Sequence, residues 1–164
     1  MYERNLAHYV VVTGILVQNE KFLIVKRSNK EKAFPGRWSV PGGKLEVLDY
    51  CLKNKDTASH WYNTFEDVLK REVKEEVGIN IKNIGYVTSM VYIRSDNIPC
   101  VIVSMFAEPQ ENEQIKLDSC LTEFVWVNLE EAKEYDLIEG IYEELTLLDS
   151  KSEKKVLEQW KKQE

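Results

Sequence analysis

The stretch 71-REVKEEVGI-79 places five ionised side chains in six consecutive positions, and three of them are carboxylates: Glu72, Glu75 and Glu76. On a helix the positions i, i+3 and i+4 share one face, so these acids are neighbours and repel one another. The stretch belongs to a longer helical pattern, 64-TFEDVLKREVKEEV-77, in which Phe65, Leu69, Val73 and Val77 recur at four-residue steps as a buried stripe. Thr64 is placed to cap this helix, with Asp67 at N3 partly mimicking a capping box. Gly78 is placed to end it in the left-handed conformation.

Two readings of the acidic face compete. In the first, the acids are a solvated surface, partly neutralised by Lys70, Arg71 and Lys74. In the second, they hold a hard divalent cation, which takes oxygen ligands from carboxylates and from substrate phosphates. The upstream stretch 41-PGGKLE-46 favours the second. Its glycines let backbone approach a ligand closely and leave carbonyls free to coordinate. Such a site suits metal-assisted phosphate chemistry, in which the ion neutralises developing charge and activates a water.

The rest of the chain predicts an α+β fold. Segments 8–18 and 22–28 are apolar and β-branched, and read as a hairpin turning at 19-NEK-21. Segments 85–94, 100–109 and 122–128 read as further strands, the first two antiparallel around a 95–99 turn. Asn128 can cap a helix over 129–137, and two amphipathic helices are expected near 138–148 and 151–162. Strands, one helix, strands, then helices imply a mixed sheet between helical layers. The 164 residues, with neither linker nor repeat, are read as a single domain over 1–164.

Bulk properties narrow the function. A formal net charge of −6 argues against a nucleic-acid grip by electrostatics. Small phosphorylated substrates stay open if a cation supplies the positive charge. No apolar run approaches the roughly 20 residues that span a bilayer, and the first residues lack a secretory layout. A cytoplasmic protein without membrane association is expected. Cys51, Cys100 and Cys120 are scattered, with no metal-type or disulfide-framework spacing.

The motifs resemble those of the Nudix hydrolases. That family's signature runs glycine, five residues, glutamate, seven residues, then Arg-Glu-aliphatic-x-Glu-Glu-x-Gly-aliphatic. Arg71, Glu72, Val73, Glu75, Glu76, Gly78 and Ile79 match the second half completely, and Gly43 in PGGKLE is the matching first glycine. The approach from Arg37 to Gly43, the opening hairpin and 126-WVNLEEA-132 are also similar, so the resemblance covers roughly residues 8–148. It implies an α/β/α sandwich and hydrolysis of a diphosphate bond in a nucleoside diphosphate linked to another moiety. The cofactor implied is Mg2+, with Mn2+ as a substitute.

Roles carry over residue by residue. Glu72 and Glu76 match the usual metal ligands, Glu75 a further ligand or catalytic acid, and the Gly42 carbonyl a backbone ligand. Arg71 matches the residue that orients the glutamates. Glu123, at the start of the Trp126 strand, is the candidate for an additional acid acting as ligand or general base; an ordinary strand-edge glutamate is the alternative. Glu111 and Glu113 are weaker candidates, and plain surface residues otherwise. A non-catalytic nucleotide-binding module on the same fold is the rival function, and relatives of that kind are expected to lose signature acids.

One departure stands out. The family separates glycine and arginine by 14 residues, whereas Gly43 and Arg71 are 28 apart (71 − 43). The extra residues lie within 48–63, so the middle glutamate position falls on Asp49 counted forward and on Asn63 counted backward. The insertion carries His60, Trp61 and Tyr62. Trp61 and Tyr62 read either as a substrate wall, stacking on a base, or as anchors of the insertion or of a homodimer contact. Arg27 and Arg37 are candidate phosphate contacts, since guanidinium forks suit phosphate oxygens. Trp38 reads as a packing anchor beneath the glycine loop.

Overall fold

The computed structural model describes residues 6–150. Strand β1 (Tyr9–Gln18) organises everything else. It forms an antiparallel hairpin with β2 (Lys21–Arg27). The turn is Asn19-Glu20, with φ of 51° and 60°, the pair of left-handed residues that a type I′ turn needs to match strand twist. Beyond β2 come β3 (Trp38–Ser39) and β4 (Gly42–Lys44). The short helix α1 (Leu48–Cys51) and the long helix α2 (Thr64–Val77) follow. The chain then runs through β5 (Ile81–Ile93), β6 (Pro99–Pro109) and β7 (Leu121–Val127), and ends in α3 (Leu129–Ala132) and α4 (Ile141–Asp149).

The sheet is mixed. β1 pairs in parallel with β6 from Tyr9↔Cys100 to Leu16↔Ala107, while β5–β6, β1–β4 and β2–β7 are antiparallel. Two cores form, one on each face. Val12 and Leu16 of β1 join Val68, Leu69, Val73 and Val77 of α2. Ile15 and Val17 join Ile141, Leu145 and Leu148 of α4. Alternation along β1 sends successive side chains to opposite layers, so a strand covered on both faces reads as one apolar run. This is the expected α+β sandwich with a mixed sheet between helices.

Several local expectations are corrected. The residue before α2 is Asn63, in the left-handed region (φ 54°), with no side-chain cap bond; Thr64 is already helical. Asp67 does not act in a capping box but accepts from Lys53 Nζ at 2.9 Å, tying the insertion to the helix. Phe65 is 37% exposed, and Val68 takes its place in the buried stripe. α3 stops at Ala132 rather than 137, although Asn128 and Glu131 do form a full capping box. The chain beyond it is diverted to the sheet: Trp38 N–H donates to the Asp136 carbonyl (3.0 Å), and Ile138 N–H donates to the Trp38 carbonyl (2.8 Å). The helix expected near 138–148 is α4, and the one expected over 151–162 lies outside the described residues. Trp38 is buried and meets Tyr135 edge-on at 4.8 Å.

The end of α2 is held tightly. Gly78 has φ 76°. The Val77 and Glu76 carbonyls accept from Lys116 and Asp118 N–H, both at 2.9 Å. The last turn, which carries Glu76, is therefore fixed by backbone bonds to 116–118. A Cβ on Gly78 would lie 2.9 Å from the Lys116 carbonyl oxygen in a left-handed conformation. Gly78→Ala is expected to cost about 1–2 kcal/mol, read as a lower midpoint in urea denaturation.

Candidate active site

The site is built where α2 crosses the β4 glycines. Gly42 pairs with Thr13, and Gly43 with Val12, of β1. Gly42 is at φ 156°, and a Cβ there would lie 2.4 Å from the Val12 carbonyl oxygen. A Cβ on Gly43 would lie 2.0 Å from Glu72 Oε1. Only glycine lets the α2 carboxylates reach this backbone. Gly42 N–H donates to Glu76 Oε2 at 2.9 Å.

Arg71 is the hub of the acids. Its Nε lies 2.5 Å from Asp49 Oδ1 and its Nη2 3.2 Å from Asp49 Oδ2. Its Nη1 reaches Glu72 Oε1 at 2.8 Å and Glu75 Oε2 at 3.0 Å. Nη2 also donates to the Lys44 carbonyl at 3.1 Å, joining helix to glycine strand. Asp49, not Asn63, thus occupies the middle signature position. It is buried and also accepts from Glu46 N–H at 2.7 Å. The insertion therefore begins after Asp49.

The electrostatics follow from burial. Burial alone would raise the Asp49 pKa, but the bonds from Arg71 and the Glu46 amide outweigh it and hold the group below its usual value. Glu72 and Glu76 go the other way. Burial raises both, against the pull of Arg71 on Glu72 and of the Gly42 amide on Glu76, and Glu76 reaches about 7. The Glu72 charge raises Glu76 further; Arg27 pulls it down and Glu31 up. Glu75 is exposed, and among the described residues it is held by Arg71.

These residues fit a hard divalent cation. The donors are carboxylate oxygens, two of them partly buried one helical turn apart, against backbone that carries no Cβ. As the side chains stand, Arg71 draws Glu72 and Glu75 toward itself, and among the described residues no three His, Cys, Asp or Glu side chains converge on one point. The internal cation is the guanidinium.

The remaining candidates are dispersed. Glu123 accepts from Lys26 Nζ at 2.6 Å and is more than half exposed, on β7. Glu31 lies closer, within electrostatic range of Glu76, and pairs with Arg27 at 2.9 Å. Sequence spacing gave no sign of Glu31. It also gave none of Cys120, whose Sγ lies 4.0 Å from Glu76 Oε1 and whose thiol is pushed up to about 11 by burial and by the neighbouring carboxylates. Arg27 thus stands beside the site. Arg37 does not: its guanidinium is taken by Asp136 (2.9 Å) and by the Leu137 carbonyl, so it clamps the loop after α3. Glu111 and Glu113 are engaged with Lys82 and Asn80. Trp61 donates its indole N–H to the Lys53 carbonyl (3.1 Å) and packs on Tyr50 at 5.2 Å, anchoring the insertion. Tyr62, 40% exposed, and Trp61 both line a cleft beside it. His60 is bonded to Thr57 within the loop.

Two outcomes test this geometry. Asp49→Ala leaves Arg71 without its buried partner and is expected to cost about 2–3 kcal/mol in denaturation. That contribution is present above the unfolded aspartate value and is lost as pH falls through the lower folded one. Glu76 has the opposite sign. Its folded value near 7 lies above the unfolded 4.5, so its contribution is complete below the unfolded value and is lost as pH rises toward 7. Thermal melting should show metal-free protein losing this stability over that range and Mg2+ restoring it increasingly above pH 7. Glu76→Gln should flatten both trends.

Comparisons with known proteins identify the family. A family model described as NUDIX domain matches residues 8–148. The nucleoside triphosphatase NudI of Klebsiella pneumoniae is 25% identical over 133 residues, covering 74% of this chain and 84% of that protein. The MutT NUDIX hydrolase from Burkholderia pseudomallei superposes with a TM-score of 0.68 at 18% identity, covering 87% of this chain and 98% of that one. The NUDIX domain of Shewanella oneidensis NrtR, solved with ADP ribose, gives 0.66 at 17% identity, covering 89% of this chain and 90% of that one. The chain therefore belongs to the Nudix hydrolase family, as a pyrophosphohydrolase.

Proposed function

We propose that the protein hydrolyses a diphosphate bond in a nucleoside diphosphate linked to another moiety, in a Mg2+-dependent reaction that Mn2+ can also support. The observation that carries this reading is the complete acid set on α2, packed against a glycine strand and balanced by a single arginine. Relatives point to the same substrate class: one is named a nucleoside triphosphatase, and another was solved with ADP ribose.

Glu72, Glu76, Glu75 and the Gly42 carbonyl would hold the cation. When bound it would screen the phosphate charge and lower the pKa of an attacking water. The chain's own residues do the rest. Arg71 keeps Glu72 and Glu75 facing the glycine strand, and Asp49 keeps Arg71 in place. Glu75 is the exposed acid on this face, and on leaving Arg71 its carboxylate can accept a proton from water. Arg27 supplies positive charge near Glu76 for a phosphate oxygen. Glu123 would likewise need to leave Lys26 to act as a base, and it ranks behind Glu75 because it stands on β7 and not on the acid face of α2. Trp61 and Tyr62 stand in the insertion as substrate contacts.

The test is release of phosphate or diphosphate from nucleoside triphosphates, nucleotide sugars and dinucleotides, with Mg2+, with Mn2+ and with EDTA. Turnover that EDTA abolishes is expected for one class. Glu76→Gln should lower kcat by orders of magnitude with the fold intact by circular dichroism. Near-normal turnover in that variant, or full activity in EDTA, would overturn the assignment.

A further inference from the structure

The insertion builds a cleft that the reaction chemistry leaves unused. It measures about 530 Å³ and is lined by Leu45, Tyr50, Trp61, Tyr62, Phe65 and Glu66, among others. That volume is in the range of small-molecule sites. Tyr62 and Phe65 are 40% and 37% exposed, so their rings offer open surface for stacking. Glu66 differs from its neighbours. It is 9% exposed, lines the cleft, and has no hydrogen bond or ion pair among the described residues. Among the described residues the other buried carboxylates have partners: Asp49 has Arg71, and Glu144 has Ser104. The Glu66 carboxylate oxygens are not fully enclosed, so a ligand in the cleft that carries paired N–H donors can reach them. Its place in the first turn of α2 favours negative charge.

The cleft lies beside the acids. Phe65, Glu72 and Glu76 are seven and four residues apart on α2 and share a face. Phe65 to Glu72 is about 10 Å of helix. Leu45 is two residues beyond Gly43, about 7 Å of strand. Those separations suit a phosphate and a sugar.

We propose that this cleft is a base-reading subsite for guanine, with Glu66 as the reader and Tyr62 and Phe65 as stacking surfaces. The inference rests on the nucleotide reading above and names its base. A carboxylate only accepts hydrogen bonds, through two oxygens side by side. Its planar complement carries two adjacent N–H donors. Guanine presents them at N1 and at its 2-amino group. Adenine and cytosine set a ring acceptor beside their amino group, and uracil flanks one N–H with two carbonyls, so each pairs with one oxygen at best. Sites built to hydrogen-bond a donor reject analogues that lack it far more strongly than apolar pockets reject a missing methylene.

The experiment has two arms. The first measures binding of guanosine and adenosine, without metal, by calorimetry on wild type, Glu66→Gln and Phe65→Ala. The second measures kcat/KM for guanine and adenine nucleotides in the same proteins with Mg2+. Wild type should prefer guanosine by about tenfold or more. Glu66→Gln, which replaces one acceptor oxygen with a donor, should bring the ratio close to one. Phe65→Ala, at an exposed position, should weaken guanosine binding several-fold and keeps the test open if the Glu66 variant misfolds. Equal binding of the two nucleosides, an unchanged ratio in Glu66→Gln, or competition by tetramethylammonium but not by guanosine would overturn the subsite. The arms separate the two readings: guanosine binding without turnover of any nucleotide fails the hydrolase, and turnover without guanine preference fails the subsite.

Discussion

Everything at the active site depends on one guanidinium. Arg71 touches Asp49, Glu72, Glu75 and the Lys44 carbonyl. Without it, the acids of α2 would repel one another on one helix face, and the Gly42–Glu76 hydrogen bond would be left to tie them to the glycine strand. Its charge is itself secured. Burial works against the charged form, but the Asp49 bond and the surrounding carboxylates more than restore it, and its pKa rises. A lysine would offer a point charge in this position; the planar fork of arginine meets three carboxylates and a carbonyl at once.

That arrangement explains how the fold tolerates a long insertion. Doubling the spacing between Gly43 and Arg71 costs only about 0.6 kcal/mol in loop closure, provided the contact inside the loop survives. It does, because Asp49 comes before the added residues and keeps its bonds to Arg71 and Glu46. The added segment is then tied down by its own contacts. Lys53 reaches Asp67, Trp61 returns to the Lys53 carbonyl, and Tyr62 N–H donates to Asp56. The loop is a structured annex beside the signature and leaves the signature intact.

The sequence was most legible where periodicity and burial coincide. The β1–β2 hairpin, the body of α2 and its Gly78 terminus follow from pattern alone, because a strand covered on both faces and a helix packed along one stripe leave strong marks. The start of α2 was not legible. Thr64 looks like a cap, but the insertion delivers the chain through a left-handed Asn63, a tertiary consequence no local signal encodes. The end of α3 failed for a similar reason: 133–137 has helical character, yet the backbone of Asp136 and Ile138 is claimed by Trp38 across the sheet. In the site, the acids, the glycines and Arg71 were readable as spacing. Asp49 was one of two options until its contact with Arg71 decided it. For Arg37 and Glu123 the sequence left a functional and a surface reading open, because an arginine or glutamate in a loop or strand edge reads the same whether it faces substrate or a neighbour; their neighbours here are Asp136 and Lys26.

The balance of charge around α2 also says why the site should respond to a cation. Asp49 and Glu75 pair with Arg71, and Glu72 shares the same guanidinium. Glu76 has only the Gly42 amide and the more distant Arg27. One arginine serves three carboxylates, and the fourth is left near 7, where it is as readily protonated as ionised. A buried carboxylate in that state is stabilised either by a proton or by a metal ion, and the two compete for the same oxygens. The acids around α2 are therefore short of positive charge, next to backbone made bare by Gly42 and Gly43, and that deficit is what a cation bound to phosphates can fill.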